Sequence, residues 1–486
     1  MENVVSTGLP GLDHILGGGL PAARFHLVQG NPGSGKTTLG LQFLLEGLRR
    51  GERVLYVTLS ETRAELESVA ESHGWDLSKL PIFELAGRVD YLSLDEQNTL
   101  FEPSEVELAE VTRALVQEVE RVQPVRVVFD SLSEMRLLAQ SALRYRRQLL
   151  ALKQNFAQRG CTVLMADDLT SEPGDLQLQS LAHGVIALEQ LSPLYGAERR
   201  RLRVAKMRGV NFRGGYHDFR IERGGLHIFE RLVAAEHRGQ QPGGVVESGM
   251  AQLDALLGDG LDRGTSALFI GPAGCGKSAL AMQYASAAAR RGEPVSIYAF
   301  DEGMMTLRLR AQALGVPVDE LVASGVMRLQ QVDPAEMSPG ELIDDIRTDL
   351  EARGTRVIVI DSLNGYLASM PEENFLIIQL HELLSYLRQR GVLVILVVAQ
   401  AGMMGANMAA PVDVSYLADT VVALRFFESQ GQVRKAITVI KRRAGRHSAE
   451  ICELKMDRDG LHVGKPLSEL HGVFTGVPRR LAPGEE

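Results

Sequence analysis

Apolar residues in this chain fall into two alternating patterns. Val54 to Leu59, Val125 to Phe129, Thr162 to Ala166, Val357 to Ile360 and Val392 to Val398 are short, mostly apolar runs, and Phe25 to Gln29 is a sixth. Such runs predict strands covered on both faces, the habit of a parallel sheet. Between them, apolar residues recur at helical spacing. One helix is predicted from Lys36 to Arg50. Another opens where Ser104 and Glu107 form a capping box, and ends before Pro124. A further helix leads to Gly160. Ser338 caps a helix with Pro339 at its first position and Glu341 at its third, and Leu342, Ile343, Ile346 and Leu350 line its apolar face. Strands alternating with helices imply an α/β fold, with a mostly parallel sheet covered by helices.

The pattern occurs twice. Sliding the sequence by 241 positions lays Gly8 on Gly249, Leu12-Asp13 on Leu253-Asp254, Gly30 on Gly271, Lys36 on Lys277 and Gln42 on Gln283, without a gap. Further on, Asp130-Ser131 matches Asp361-Ser362, and Lys206 matches Lys441. The period is the size of a domain, too long for a solenoid unit. The expected organisation is two tandem domains, residues 1–238 and 239–486, joined in the polar stretch Glu236 to Gly244.

Each copy carries a glycine-rich loop between a predicted strand and a predicted helix. The first reads Gly30-Asn31-Pro32-Gly33-Ser34-Gly35-Lys36-Thr37 and leads into Thr38. The second reads Gly271-Pro272-Ala273-Gly274-Cys275-Gly276-Lys277-Ser278 and leads into Ala279. Both fit G-x-x-x-x-G-K-[ST], the phosphate loop of P-loop NTPases. Glycines let successive backbone N–H groups point inward at phosphate oxygens, and the helix start adds positive potential. Lys36 and Lys277 are placed to reach the outer phosphates of ATP, and the Thr37 and Ser278 hydroxyls to hold Mg²⁺. Asp130 and Asp361 close apolar strands further along, where a metal-side aspartate is needed; a strand-end turn is the plainer reading. The second strand of each copy ends in acids, Ser60-Glu61 and Asp301-Glu302. Glu61, Asp301 and Glu302 are candidates to direct the attacking water, or simply acids at a helix start. Late in each copy stand Lys206-Met207-Arg208 and Lys441-Arg442-Arg443. Their matched places suggest lysine and arginine offered to a neighbouring subunit's nucleotide, which predicts a ring.

Charge and composition narrow the partners. The net charge is −9, aromatic residues make up 5%, and there is one tryptophan. Sequence-independent coating of nucleic acid needs a basic surface and stacking rings, so this chemistry is disfavoured. The three cysteines, Cys161, Cys275 and Cys452, have no metal-ligand spacing, and a reducing cytoplasm is the expected setting. No secretory signal and no membrane-spanning run is expected: the longest apolar stretch is Val392 to Ala399.

With these residues in hand, the chain resembles the KaiC family of clock-type ATPases and autokinases over nearly its whole length. The likeness rests on the S/T-G-x-x-x-L-D opening of each copy, the two phosphate loops, the Ser60-Glu61-Thr62 and Asp301-Glu302 strand ends, Gly74-Trp75, the Asp-Ser pairs and the Lys-Met-Arg-Gly element. It implies tandem RecA-like domains, a homohexameric double ring with ATP between subunits, and possible signalling partner proteins. It implies that Lys206/Arg208 and Lys441/Arg443 reach across the subunit interface, and that Ser72 contacts nucleotide. The family's paired glutamates are replaced at their first positions by Ser60 and Asp301. Its adjacent phosphoacceptors correspond to the stretch Asp413 to Thr420, where Ser415 is the candidate. The expected function is slow ATP hydrolysis, with serine/threonine autophosphorylation in the second domain serving signalling or timing. The alternatives are a DNA-dependent motor on the same RecA-like core and an ATP-gated scaffold without useful turnover.

Overall fold

The computed structural model describes residues 3–84, 103–139, 141–169, 177–193, 195–237, 243–368, 375–402, 415–457, 460–475 and 479–480. The chain forms two compact units, residues 1–231 and 232–486. Each is built on a nine-stranded sheet. The first contains β1 Phe25–Gln29, β2 Val54–Thr58, β3 Ile82–Glu84, β4 Arg126–Asp130, β5 Thr162–Asp167, β6 Gly184–Leu191, β7 Arg199–Met207, β8 His217–Glu222 and β9 Gly225–Phe229. Their order is β3-β2-β4-β5-β1-β6-β7-β8-β9, parallel from β3 through β6 and antiparallel from there on.

The second unit contains β10 Ser266–Pro272, β11 Val295–Ala299, β12 Met327–Gln331, β13 Val357–Asp361, β14 Leu393–Gln400, β15 Thr420–Ser429, β16 Gln432–Arg442, β17 Cys452–Asp457 and β18 Gly460–Pro466. The order β12-β11-β13-β14-β10-β15-β16-β17-β18 repeats the first unit strand for strand. Duplication of the sequence is therefore duplication of the topology.

The unbroken apolar runs lie inside these sheets, with both faces covered. β1, β2, β4 and β5 are buried at every position. The second sheet separates two clusters: Phe269, Ile297, Val359 and Ile395 on one side, Leu268, Tyr298, Ile360 and Leu396 on the other. The predicted helix after the first loop is Lys36–Arg49. Ser338 accepts from the Glu341 N–H, and the capping box is complete. The helix expected to open at Ser104 begins at Pro103, a residue suited to the first helical turn. The single helix expected before Gly160 is two, Leu132–Ala139 and Ala142–Gln158, because Ser141 starts a new helix by accepting from the Arg144 N–H.

One charged residue stands inside an otherwise apolar strand. Arg126 of β4 is fully buried. Its guanidinium donates to the carbonyls of Ser6 and Phe43, pairs with Glu52, and lies 4.9 Å over the Phe43 ring. A buried charge needs this degree of pairing. The link to Ser6 ties in the opening turn, where Asp13 accepts from Ser6 Oγ, the Thr7 N–H and Thr7 Oγ1. In the second unit Asp254 accepts from the Ser248 N–H. The aspartate of each opening motif thus fixes the turn that precedes the first short helix.

Near the start of β1, His26 is fully buried, and its Nε2 donates to the Pro21 carbonyl at 2.9 Å. Burial pushes its pKa down from 6.5 to about 4, and His217 is shifted to about 4 by the same cause. An unfolded histidine takes up its proton near pH 6.5, so between there and pH 4 the unfolded chain binds more protons than the folded one. Stability is complete above that window and falls as pH drops through it, by up to about 3 kcal/mol for His26. Urea midpoints measured between pH 7 and pH 5 should decline, and His26→Gln, which keeps a donor but cannot titrate in this range, should flatten the decline.

Candidate functional site

Both phosphate loops follow the central strand of their sheet, β1 or β10, at its carboxyl end, where ligand crevices form in such sheets. Gly33 and Gly35 have φ of 81° and 100°; Gly274 and Gly276 have 79° and 110°. These left-handed positions curl the backbone so that its N–H groups converge. Sterics leave no room for side chains at the loop start. A Cβ on Gly30 would stand 2.7 Å from the Leu188 carbonyl oxygen, and one on Gly271 would stand 2.3 Å from that of Leu424. Asn31, Pro32 and Ser34 form the turn of the first loop, with the Ser34 N–H donating to the Asn31 carbonyl. Pro272, Ala273 and Cys275 form the second, with the Cys275 N–H donating to the Pro272 carbonyl. The helices begin at Lys36 and Lys277, without side-chain caps, and carry Thr38 and Ala279 in their first turns. A helix start without a side-chain cap turns its leading N–H groups toward whatever anion the loop holds.

The lysines are buried but held. Lys36 Nζ donates to the carbonyls of Gly30 (2.8 Å) and Asn31 (3.0 Å), and pairs with Asp168 at 2.8 Å. Lys277 Nζ donates to the Pro272 carbonyl at 2.7 Å, with Cys275 Sγ at 3.9 Å. Burial lowers the Lys277 pKa.

The two hydroxyls meet the two aspartates. Thr37 Oγ1 donates to Asp130 Oδ2 at 2.8 Å, and the Ser278 hydroxyl bonds Asp361. Burial pushes both carboxyls upward, opposed in Asp130 by donors from Tyr56 and Thr37 and in Asp361 by Ser278. The peptides Asp130-Ser131 and Asp361-Ser362 are both cis. A hydroxyl and a carboxylate oxygen side by side at the loop mouth are donors that suit Mg²⁺. They fit that ion in both units.

The acids after the second strands differ between units. Glu61 is half-buried; burial first, then Asp130, Glu65 and Asp168, raise its pKa to about 7. Glu302 is bound by Arg310 at 2.6 Å, and burial is the main cause of its raised pKa. Asp301 accepts from Ser362 Oγ. Ser60 is exposed.

The late basic pairs lie elsewhere. Met207 pairs with Gly184, and Gly184 with His26 near the start of β1, the end away from the loop. Lys206 Nζ donates to the carbonyls of Gln179 and Ala182, and Arg208 to that of Ser180. In the second unit Lys441 Nζ donates to the carbonyls of Ser415 and Ala418, while Arg443 bonds Tyr416 and Asp419. Each pair therefore grips the segment preceding β6 or β15. Ser72 is exposed on the helix Arg63–His73, donating to the Val69 carbonyl. Ser415 and Tyr416 are described, whereas Asp413 and Val414 lie outside the described residues.

Sequence reasoning passed over two groups at the first site. Tyr56 OH donates to Asp130 Oδ2 at 2.7 Å; its apolar strand setting concealed a polar role. The Asp167-Asp168 doublet closes β5 beside β1, and Asp168 reaches Lys36. An acid pair ending an apolar strand at the carboxyl edge of the sheet was the available signal. Removing the tyrosine hydroxyl leaves a buried carboxylate short of a donor. Tyr56→Phe should therefore lower unfolding stability by about 1–3 kcal/mol, read from chemical denaturation.

The family model for the KaiC ATPase matches residues 5–233 and again 246–468. The circadian clock protein KaiC3 of Synechocystis sp. is 25% identical over 491 residues, covering 99% of this chain and 95% of that protein. The circadian clock oscillator protein KaiC of Parathermosynechococcus lividus is 26% identical over 490 residues, covering 99% and 89%. That of Synechococcus elongatus is 26% identical over 491 residues, covering 99% and 92%. With the model matching once in each unit, over the same strand order and the same loop, this chain belongs to the KaiC ATPase family.

Proposed function

We infer that the chain binds ATP with Mg²⁺ at both phosphate loops and hydrolyses it within a ring of identical subunits. The observation carrying this reading is the repeated constellation itself: a glycine loop, a lysine held at its mouth, and a hydroxyl–carboxylate pair, twice on one topology. In it the loop N–H groups and Lys36 or Lys277 bind the phosphates. Thr37 with Asp130, and Ser278 with Asp361, hold the metal, which supplies charge neutralisation on the phosphates. Asp301 directs water in the second unit, and Glu61 and Glu302 border the reacting phosphate.

The Lys206/Arg208 and Lys441/Arg443 pairs support assembly. They sit toward the far end of the sheet from their own chain's loop, so a neighbouring subunit's nucleotide is the natural target. A homohexamer, the arrangement implied by family likeness, suits this geometry. The names of the relatives support a timing role; signalling through protein partners is part of the same proposal, and Ser415 is the proposed phosphoacceptor in the second unit. Cytoplasmic residence fits three free, buried cysteines and the lack of a membrane-crossing helix among the described residues.

Phosphate release should fall in Lys36→Ala and in Lys277→Ala, and be lost in the double variant; equal release from the wild type and both single variants would refute the reading. Mixing Lys36→Ala/Lys277→Ala subunits with subunits lacking Lys206, Arg208, Lys441 and Arg443 should regain part of the turnover if the basic pairs act in trans. Incubation with γ-labelled ATP should place phosphate at Ser415, located by peptide mapping.

A further inference from the structure

The two sites do not carry their acids in the same place. The first unit has Ser60 where the second has Asp301. Register finds the opposite exchange two strands away in the sheet. Gln29 pairs with Asp167, and Ile270, which the 241-residue shift lays on Gln29, pairs with Val398. Asp167-Asp168 therefore corresponds to Val398-Ala399. Side-chain partners give the same alignment. Ser133 Oγ donates to Asp168 Oδ2 at 2.8 Å, and Asn364, the counterpart of Ser133, bonds the backbone of Ala399. Each site thus has one acid that the other lacks.

Both acids face the same serine. In the second unit, Ser362, which follows the metal-side aspartate, donates to Asp301. In the first, the equivalent Ser131 hydrogen-bonds Ser133 at 2.9 Å and also reaches Asp168. We propose that Asp168 is the water-directing carboxylate of the first site, taking up from β5 the task that Asp301 performs after β11. This deepens the ATPase reading above and rests on it.

Asp168 stands where the task requires. It contacts Lys36 Nζ at 2.8 Å, the atom that grips the outer phosphates. When the outer phosphate takes the place of one loop carbonyl on Lys36 Nζ, it and Asp168 are two groups bonded to one tetrahedral ammonium and stand on the order of 4–5 Å apart, which leaves room for one bridging water. That water's oxygen bonds to the γ-phosphorus, and the bond from that phosphorus to the β–γ bridging oxygen breaks. The bridging oxygen keeps the electron pair as ADP leaves. The water's proton passes to the Asp168 carboxylate, which later releases it to phosphate or solvent.

A plain counter-ion role for Asp168 explains less. Lys36 is already held by two loop carbonyls, and Lys277 is held by a loop carbonyl with no acid in the place of Asp168. A counter-ion also has no need of Ser131 and Ser133 directing it from the opposite side.

The test uses the full chain in a Lys277→Ala background, so that turnover reports the first site. Asp168→Asn should cut phosphate release by about 100-fold or more, while calorimetry with a non-hydrolysable ATP analogue and Mg²⁺ finds affinity held or tightened. Ser60→Asp added to Asp168→Asn, which moves the acid to the second unit's position, should restore about tenfold or more of the loss. Undiminished turnover in Asp168→Asn, or loss of analogue binding in step with turnover, would overturn the proposal, as would failure of the added acid to rescue. If the Lys277→Ala parent binds the analogue but releases no phosphate, the ATPase reading of the first unit falls and takes this proposal with it. That result is distinct because it precedes any change at position 168.

Discussion

A lysine ammonium anchored to backbone carbonyls at the end of a buried strand is the feature on which the molecule depends. Lys36 and Lys277 are each held beneath a loop whose glycines adopt left-handed backbone. An unpaired ammonium at that depth would be too costly, so the loop carbonyls must stay in place for the fold and for the chemistry alike. The strand in turn is fixed by strands on both sides and apolar layers on both faces. Rigidity at the loop is thus inherited from the sheet. Glycine is forced at Gly30 and Gly271 because neighbouring carbonyl oxygens occupy the space a side chain would take.

Around that fixed frame, the two units have diverged in polarity. The first surrounds its lysine with Asp168, Glu61 and a Tyr56–Asp130 pair. The second sets a cysteine beside its lysine, closes the adjoining strand with Val398-Ala399, and ties Glu302 to Arg310. The carboxyls match one for one, Asp130, Glu61 and Asp168 against Asp361, Glu302 and Asp301, but the second site adds Arg310 to offset one of them. Equal topology with unequal electrostatics lets one chain hold nucleotide on two different terms.

Much of this was legible in the sequence because it follows from local rules. Unbroken apolar runs marked the strands, Ser338 with Glu341 marked a helix start, and the loop motif lay between the strand and helix it requires. The 241-residue shift carried the first unit's architecture onto the second. What escaped was set by pairing between distant segments. Arg126 breaks an apolar run, and only the fold shows that Ser6, Phe43 and Glu52 surround it. Asp168 is more than a hundred residues from Lys36 and reaches it only because β5 lies beside β1. Parallel neighbours are joined through helices, so adjacency in the sheet is not adjacency in the chain.

The same topology bears on assembly. Parallel strands place every loop that can touch phosphate at one edge of the sheet, while β7 and β16 run back antiparallel. Their lysines therefore emerge toward the opposite edge. There they grip carbonyls of the segment entering β6 or β15, which fixes the direction of the ammonium and guanidinium groups. A cation so restrained cannot swing round its own sheet to the loop. It can serve a phosphate only if another subunit presents one, and a head-to-tail contact of that kind closes into a ring when the rotation per subunit divides a full turn. On the proposed arrangement turnover depends on assembly: a subunit alone would have the loop, the lysine and the metal-side pair, yet lack the outer charges that a transferring phosphoryl group requires.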